Sequence, residues 1–208
     1  MFDDDDGQRR RDVKGAIFKL LEDFVVANHG PDAFEDLLDR TELQTTRAIV
    51  GPGTYPAEDL IALVETAVAT YGQPIDELLR AFGRHSFPPL AESVSDLMVG
   101  LDDPISFLLN LESVIHTEVR KLDPEANPAR FTATDLGDGQ LRFDYQSDLG
   151  LFPLVEGFLD GVGDWFETPL IHERVSTDGT NAVFRVRASE KPIGSGPVAE
   201  GAPDGVTV

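Results

Sequence analysis

The chain has 208 residues, 41% hydrophobic and 26% charged, which suits one globular domain with a real core. Its formal net charge of −21, from 38 acidic against 17 basic residues, repels nucleic-acid phosphates and anionic lipid, so neither is an expected partner. It has no cysteine, which excludes disulfides, thiolate metal centres, iron–sulfur clusters and a cysteine nucleophile.

Most of the basic residues are arginine. An acidic, lysine-poor surface suggests a halophilic source, where salt screens self-repulsion and carboxylates hold water; an acidic protein from a GC-rich genome is the plainer reading. No apolar run reaches the roughly 18 residues of a membrane span, so no membrane association is expected. Arg9-Arg10-Arg11 resembles a twin-arginine signal, but Lys19, Glu22 and Asp23 break the apolar stretch such a signal needs. A cytoplasmic protein is expected.

Residues 1–12 carry almost no apolar side chain and read as a disordered acidic leader. Asp3 to Asp6 lack the ligand spacing of a calcium loop and read as a solvated charge run. From Val13 the pattern turns helical, with Ile17, Leu20, Leu21, Phe24 and Val25 on one face, and His29-Gly30-Pro31 stops it. Residues 32–38 read as a short helix, and Gly51-Pro52-Gly53 as a loop. Pro56 opens a helix through Leu60, Leu63, Val64, Ala67 and Val68 to Tyr71-Gly72. Pro74 opens another, with Leu78, Leu79 and Phe82 inward and Gly83 near its end. Residues 86–103 read as mixed, with Pro88-Pro89 and Asp102-Asp103-Pro104 as breakers. Residues 107–122 then form one amphipathic helix carrying His116, ended by Asp123-Pro124.

The second part alternates differently. Residues 129–135 and 140–145 read as strands about Gly137-Asp138-Gly139, residues 149–166 as a helix, and residues 169–175 and 182–186 as strands about Asp178-Gly179. Helices followed by β-β-α-β-β predict an α+β fold with a four-stranded antiparallel sheet. The domain is expected over residues 13–188, and residues 189–208, rich in glycine and proline, read as a disordered tail.

His116 lies beside the apolar stripe of its helix, which makes it a candidate axial ligand for haem iron; on periodicity alone the signal is weak, because most histidines so placed are packed or capped. His29, at a helix end, suits the dipole there. His172 lies in a predicted strand beside Glu173 and is expected to be exposed. His85 follows Gly83-Arg84. None of these has the paired spacing of a zinc site, and there is no P-loop, nucleophile elbow or dinucleotide fingerprint. An enzyme is therefore not expected.

Three stretches, taken in order, resemble the haem-nitric oxide/oxygen binding (H-NOX, or HNOB) domain family. The first runs from Val13-Lys14-Gly15 to Phe24-Val25-Val26. The second is Leu79-Arg80-Ala81-Phe82-Gly83-Arg84-His85 followed by Val114-Ile115-His116-Thr117-Glu118-Val119-Arg120-Lys121-Leu122. The third is Tyr145-Gln146-Ser147-Asp148-Leu149, then Val155-Glu156-Gly157-Phe158-Leu159-Asp160-Gly161 and Trp165-Phe166. The likeness spans about residues 13–188.

The resemblance implies haem b, with His116 as the proximal iron ligand. Tyr145 and Ser147 match the family's Tyr-x-Ser-x-Arg motif for the haem propionates. Leu149 stands where the arginine belongs, with Asp148 adding a like charge; Arg130 and Arg142 are candidate substitutes. The distal candidates Ile17, Leu21, Phe82, Leu154 and Phe158 are apolar, and Leu154 occupies the position of the tyrosine that oxygen-binding members use. NO is therefore the implied ligand, with CO as a laboratory surrogate. Pro128 lies close to the position of a proline that presses on the porphyrin. The cysteine-rich zinc site of some members is absent.

Two functions follow from the resemblance. One is a stand-alone prokaryotic NO sensor. No catalytic domain follows in the chain, so output is expected to pass to a separate protein such as a histidine kinase, a chemotaxis transducer or a cyclic-dinucleotide enzyme. The other is a haem-free relative, a ligand-binding or protein-interaction module, which the missing arginine favours.

Overall fold

The computed structural model describes residues 12–45, 48–123 and 128–189. The leader before Asp12, Pro124 to Asn127, and the tail from Glu190 lie outside the described residues, as do the expectations placed on them.

The chain order is β1 (Asp12–Lys14), α1 (Gly15–His29), α2 (Ala33–Arg40), β2 (Thr54–Pro56), α3 (Ala57–Tyr71), α4 (Ile75–Ser93), a 3-10 turn (Ser95–Leu97), α5 (Pro104–Asn110), a π-helical segment (Leu111–His116), α6 (Thr117–Leu122), β3 (Arg130–Gly137), β4 (Gln140–Gln146), α7 (Phe152–Trp165), β5 (Leu170–Asp178) and β6 (Asn181–Ala188). The last five elements are the expected β-β-α-β-β unit. They make a four-stranded antiparallel sheet in the order β3-β4-β6-β5.

A second, small sheet pairs β1 with β2 and is absent from the sequence reading. Asp12, assigned there to the leader, pairs with Pro56, and Val13 pairs with Tyr55 rather than opening the helix. Three-residue strands are too short to show a period of two. At the other end, Ser189, assigned to the tail, donates its N–H to the Pro169 carbonyl at 2.7 Å.

The helices and the sheet bury two apolar cores. The first gathers Phe18, Leu21 and Phe24 of α1, Leu37 of α2, Leu63 of α3, and Leu78 and Phe82 of α4. The second gathers Phe87 of α4, Phe107 and Leu108 of α5, Ile115, the inward rows of β4 and β6, and Val155, Leu159 and Val162 of α7. Helix α4 serves both, because it runs on through Pro88 and Pro89 instead of stopping there.

The reason lies in its partner, α7. Gly83, expected near a helix end, sits mid-helix, and a Cβ there would overlap the Leu154 carbonyl. Gly157 meets the Arg80 carbonyl in the same way. At Gly161 a Cβ would lie 2.7 Å from the Phe87 Cβ and 2.9 Å from the Arg84 carbonyl oxygen, the acceptor that Pro88 leaves without its N–H. The two helices approach backbone to backbone, and that burial offsets the cost of an internal proline. The seam is flanked by paired ions: Arg80 Nε to Asp160 at 2.7 Å and Arg84 Nη2 to Asp164 at 2.9 Å.

The expected single helix over residues 107–122 is also interrupted. Asp103 caps α5, accepting from Ile105 N at 2.9 Å and Ser106 N at 3.0 Å. The helix then widens into the π segment that ends on His116. The Thr117 hydroxyl reaches back to the Glu112 carbonyl at 3.0 Å, five residues earlier. Such a bulge turns the side chains after it by part of a turn, and it is invisible to a fixed helical period.

Candidate functional site

His116 ends the π segment, and its side chain is 14% exposed. Its Nδ1 lies 3.1 Å from Glu112 Oε2. An ionised carboxylate only accepts, so Nδ1 carries the proton and Nε2 keeps its lone pair. Burial lowers the His116 pKa; the Glu112 carboxylate pulls it up only partly, and the Arg120 charge lowers it. The ring is therefore held neutral, with one nitrogen anchored and the other left as a donor. Its ring is tilted against that of Phe131, with the centroids 5.8 Å apart.

Glu112 is the residue that sequence reasoning missed. Its carboxylate accepts from Arg120 Nη2 at 2.6 Å and from Phe131 N at 3.2 Å as well as from His116. Burial alone would raise its pKa; the bonds from Arg120, Phe131 and His116 outweigh that and lower it. It ties the segment carrying His116 to the first residues of β3. The spacing Glu112, His116, Arg120 repeats every four residues, which is the signal that could have found it.

Tyr145 and Ser147 are brought together at the end of β4. Tyr145 is 4% exposed, tilted against Phe131 at 5.5 Å and edge-on to Phe152 at 6.1 Å. Burial raises the pKa of its hydroxyl, which bonds Ser147 and the Leu151 backbone. Ser147 Oγ also accepts the Leu149 N–H at 3.1 Å. Neither substitute arginine joins them. Arg142 extends from the opposite face of β4 to Asp144, at 2.7 Å, and Arg130 lies on that same outer face.

The distal candidates divide between the cores. Leu21 and Phe82 are buried in the first, with Ile17 and Leu154 packed on its margin; Phe158 belongs to the second, edge-on to Phe87 at 4.9 Å. Pro128 is half-buried two residues before β3. His85 packs edge-on to Phe24 at 5.5 Å, and His29 stacks on Tyr71 at 3.5 Å.

His172 corrects an expectation of exposure. Its side chain is only 6% exposed, and its Nε2 lies 2.9 Å from Asp160 Oδ1. The inward rows of β5 face α7, so an imidazole there is covered by the helix. Asp160, Arg80, His172 and Glu156 wall a cavity of about 380 Å³. Burial opposes the charge on Asp160, but the bonds from His172 and Arg80 bring its pKa down to about 2. Asp160 is committed to bracing the α4–α7 seam.

The donor set fits a haem iron at one point and only partly at another. A neutral imidazole with Nδ1 fixed by a carboxylate and Nε2 unprotonated is what an axial ligand requires. Ile17, Leu151 and Leu154 on one core and Phe131, Phe152 and Phe158 on the other supply apolar margins. The end where the resemblance would place the propionates has two hydroxyls and, at Leu149, no cation.

Comparison with known proteins agrees with the fold. The profile of the haem-NO-binding family (HNOB) matches residues 14–174, and the chain belongs to that family. Among solved structures it is similar to an H-NOX protein from S. oneidensis in the Fe(II)NO ligation state. That match has 27% identity and a TM-score of 0.79 over 86% of this chain and 100% of that one. It is also similar to the Fe(II) unliganded H-NOX protein from K. algicida, with 26% identity and a TM-score of 0.77 over 86% of this chain and 98% of that one. An oxygen-binding H-NOX domain related to soluble guanylate cyclases, solved as its oxygen complex, shares the fold at 17% identity, with a TM-score of 0.72 over 86% of this chain and 96% of that one. Comparison with curated protein sequences gives no match. Among the described residues, no helix is long and apolar enough to cross a membrane.

Proposed function

We propose that this chain is a haem-based nitric oxide sensor in which His116 is the iron ligand. The observation that carries the reading is the Glu112–His116 pair, which leaves Nε2 free as a donor in a domain of the haem-NO-binding family. A ferrous haem b held there would supply the iron that binds a diatomic gas; the absence of cysteine leaves no thioether attachment. Glu112 orients the imidazole and keeps Nδ1 protonated, while Tyr145 and Ser147 offer hydroxyls to the propionates. Ile17, Leu21, Phe82 and Leu154 offer no hydrogen-bond donor on the distal side, which favours NO over O₂. Solved H-NOX relatives in the Fe(II)NO and Fe(II)CO states support NO, with CO as its surrogate.

The π segment is the element whose position the ligand would bias, because it joins His116 to Glu112 and, through Glu112, to β3. The output is a contact made to a separate signalling protein, such as a histidine kinase, a chemotaxis transducer or a cyclic-dinucleotide enzyme, in the cytoplasm. The lysine-poor acidic composition supports a halophilic setting.

A second reading, a haem-free interaction module, has one specific support. Leu149 replaces the propionate cation, and the Tyr145 and Ser147 hydroxyls are bonded to each other. Expression with haem available, followed by an absorption spectrum, separates the two. A Soret band that is lost in His116→Ala supports the sensor. A protein that stays colourless after haem reconstitution is haem-free.

A further inference from the structure

The outer face of the four-stranded sheet carries a set of cations that the fold does not use. Strand parity and register put Arg130, Thr132 and Thr134 of β3 on that face, with Arg142 and Asp144 of β4, Val183, Arg185 and Arg187 of β6, and Ile171 and Glu173 of β5. Arg142 stands directly opposite Arg185, and Arg187 stands between Gln140 and Ile171. Like charges directly opposite each other across a ladder cost stability, so packing does not account for the placement.

The contrast with the rest of the molecule is in the pairing. Lys14, Lys19, Arg80, Arg84, Arg120, Lys121, Arg142 and Arg174 each hold a carboxylate within 4.0 Å. Among the described residues, Arg130, Arg185 and Arg187 hold none, and Arg40 on α2 is the only other described cation so left. Glu173 faces Arg185 in register without closing an ion pair, and Asp144 is spent on Arg142. In a chain of net charge −21, carboxylates abound, yet three exposed guanidinium groups on one flat face are left without them. Leu136, Ile171 and Val175 are exposed around the same sheet. Arginine forks with scattered aliphatic groups and no lysine match the composition of a protein interface.

We propose that this face is a docking surface for an acidic segment of a partner protein, with Arg130, Arg185 and Arg187 receiving its carboxylates and the aliphatic residues covering its stem. Charge complementarity decides the occupant. A long polyanion such as a nucleic acid would run off the patch onto strongly negative surface, whereas a short acidic segment touches only the patch. The inference goes beyond gas sensing and does not depend on haem.

The test is fluorescence anisotropy of the full chain, with and without haem, against a fluorescein-labelled oligoglutamate peptide. An oligoglutamine peptide and a single-stranded oligonucleotide serve as comparisons. Saturable oligoglutamate binding that weakens with salt is expected. It should be weakened about tenfold or more in Arg185→Glu/Arg187→Glu, less in Arg187→Gln, and unchanged in Arg40→Glu. Equal loss in Arg40→Glu would show non-specific charge attraction and overturn the proposal. So would absence of oligoglutamate binding, or preference for the oligonucleotide. Self-association in sedimentation, abolished by the double variant, would make the occupant a second copy and overturn the assignment to a partner. Since both haem states are measured, failure here is distinct from failure to bind haem.

Discussion

Glu112 Oε2 lies 3.1 Å from His116 Nδ1 and 3.2 Å from the Phe131 N–H, so one carboxylate oxygen joins the candidate iron ligand to the first strand of the sheet. Any displacement of the imidazole must be passed to β3 or break one of these bonds. This makes Glu112 the residue through which the site and the sheet, including its cationic outer face, are mechanically connected.

Glu112→Ala therefore has two expected effects. Arg120 loses its partner and the Phe131 N–H is left without an acceptor, at a cost of about 1–3 kcal/mol in urea unfolding of the haem-free chain. In the haem-loaded chain, haem retention falls by about tenfold or more, because the imidazole loses the bond that fixes its tautomer and orientation. Glu112→Gln, which keeps the shape, should recover most of the stability and only part of the retention. Unchanged haem dissociation in both variants would remove Glu112 from the site.

Asp160 sets a pH limit on the helix seam. Its pKa of about 2 lies below the ordinary 3.8, so the fold favours the ionised form. The stability it contributes is complete above about pH 4 and is lost as the pH falls towards its folded value. Asp160→Asn is expected to lower stability at neutral pH by about 2 kcal/mol, with the difference from the parent chain shrinking through the acid range. Denaturation curves taken at stepped pH check this; a constant difference would place the loss in packing instead of charge.

The glycine seam makes a steric prediction. A methyl at Gly157 meets the Arg80 carbonyl, a backbone atom that cannot move without shifting α4. Gly157→Ala should destabilise by about 1–3 kcal/mol, while Gly51→Ala, with nothing within 4 Å and no positive φ, should be close to neutral. Thermal melts of the two variants provide the comparison.

These particulars show what the sequence discloses and what it hides. The β-β-α-β-β unit was readable because Leu141, Phe143 and Tyr145 alternate with polar neighbours, and Gly137 and Gly179 mark the turns. The continuity of α4 is hidden, since Pro88-Pro89 reads locally as a stop and is overridden by Gly157 and Gly161 of α7, far along the chain. The π segment was hidden because an inserted residue shifts a helical period without changing composition. His116 was visible through its stripe and its motif neighbours. The burial of His172 is not legible, because exposure depends on which helix covers the strand, and one strand's sequence does not contain that information.

Leu149 supplies the sharpest test of the haem reading. It follows Ser147 by two residues, and its N–H bonds the Ser147 hydroxyl at 3.1 Å, so a longer side chain at this position starts beside the two hydroxyls of the propionate motif. Charge-assisted bonds from a guanidinium to a carboxylate contribute about 1.5–3 kcal/mol, equivalent to about a tenfold to hundredfold slower haem loss. Leu149→Arg should therefore retain haem longer than the parent chain when transfer to an excess of a haem-scavenging protein is followed, and Tyr145→Phe should reverse part of that gain. Two groups compete for the new guanidinium: a propionate, if haem lies against Tyr145 and Ser147, and the neighbouring Asp148, if it does not. In the second case transfer rates stay at the parent value while the exposed pair adds little to stability. That outcome would separate Tyr145 and Ser147 from the proposed cofactor and leave the haem reading resting on His116.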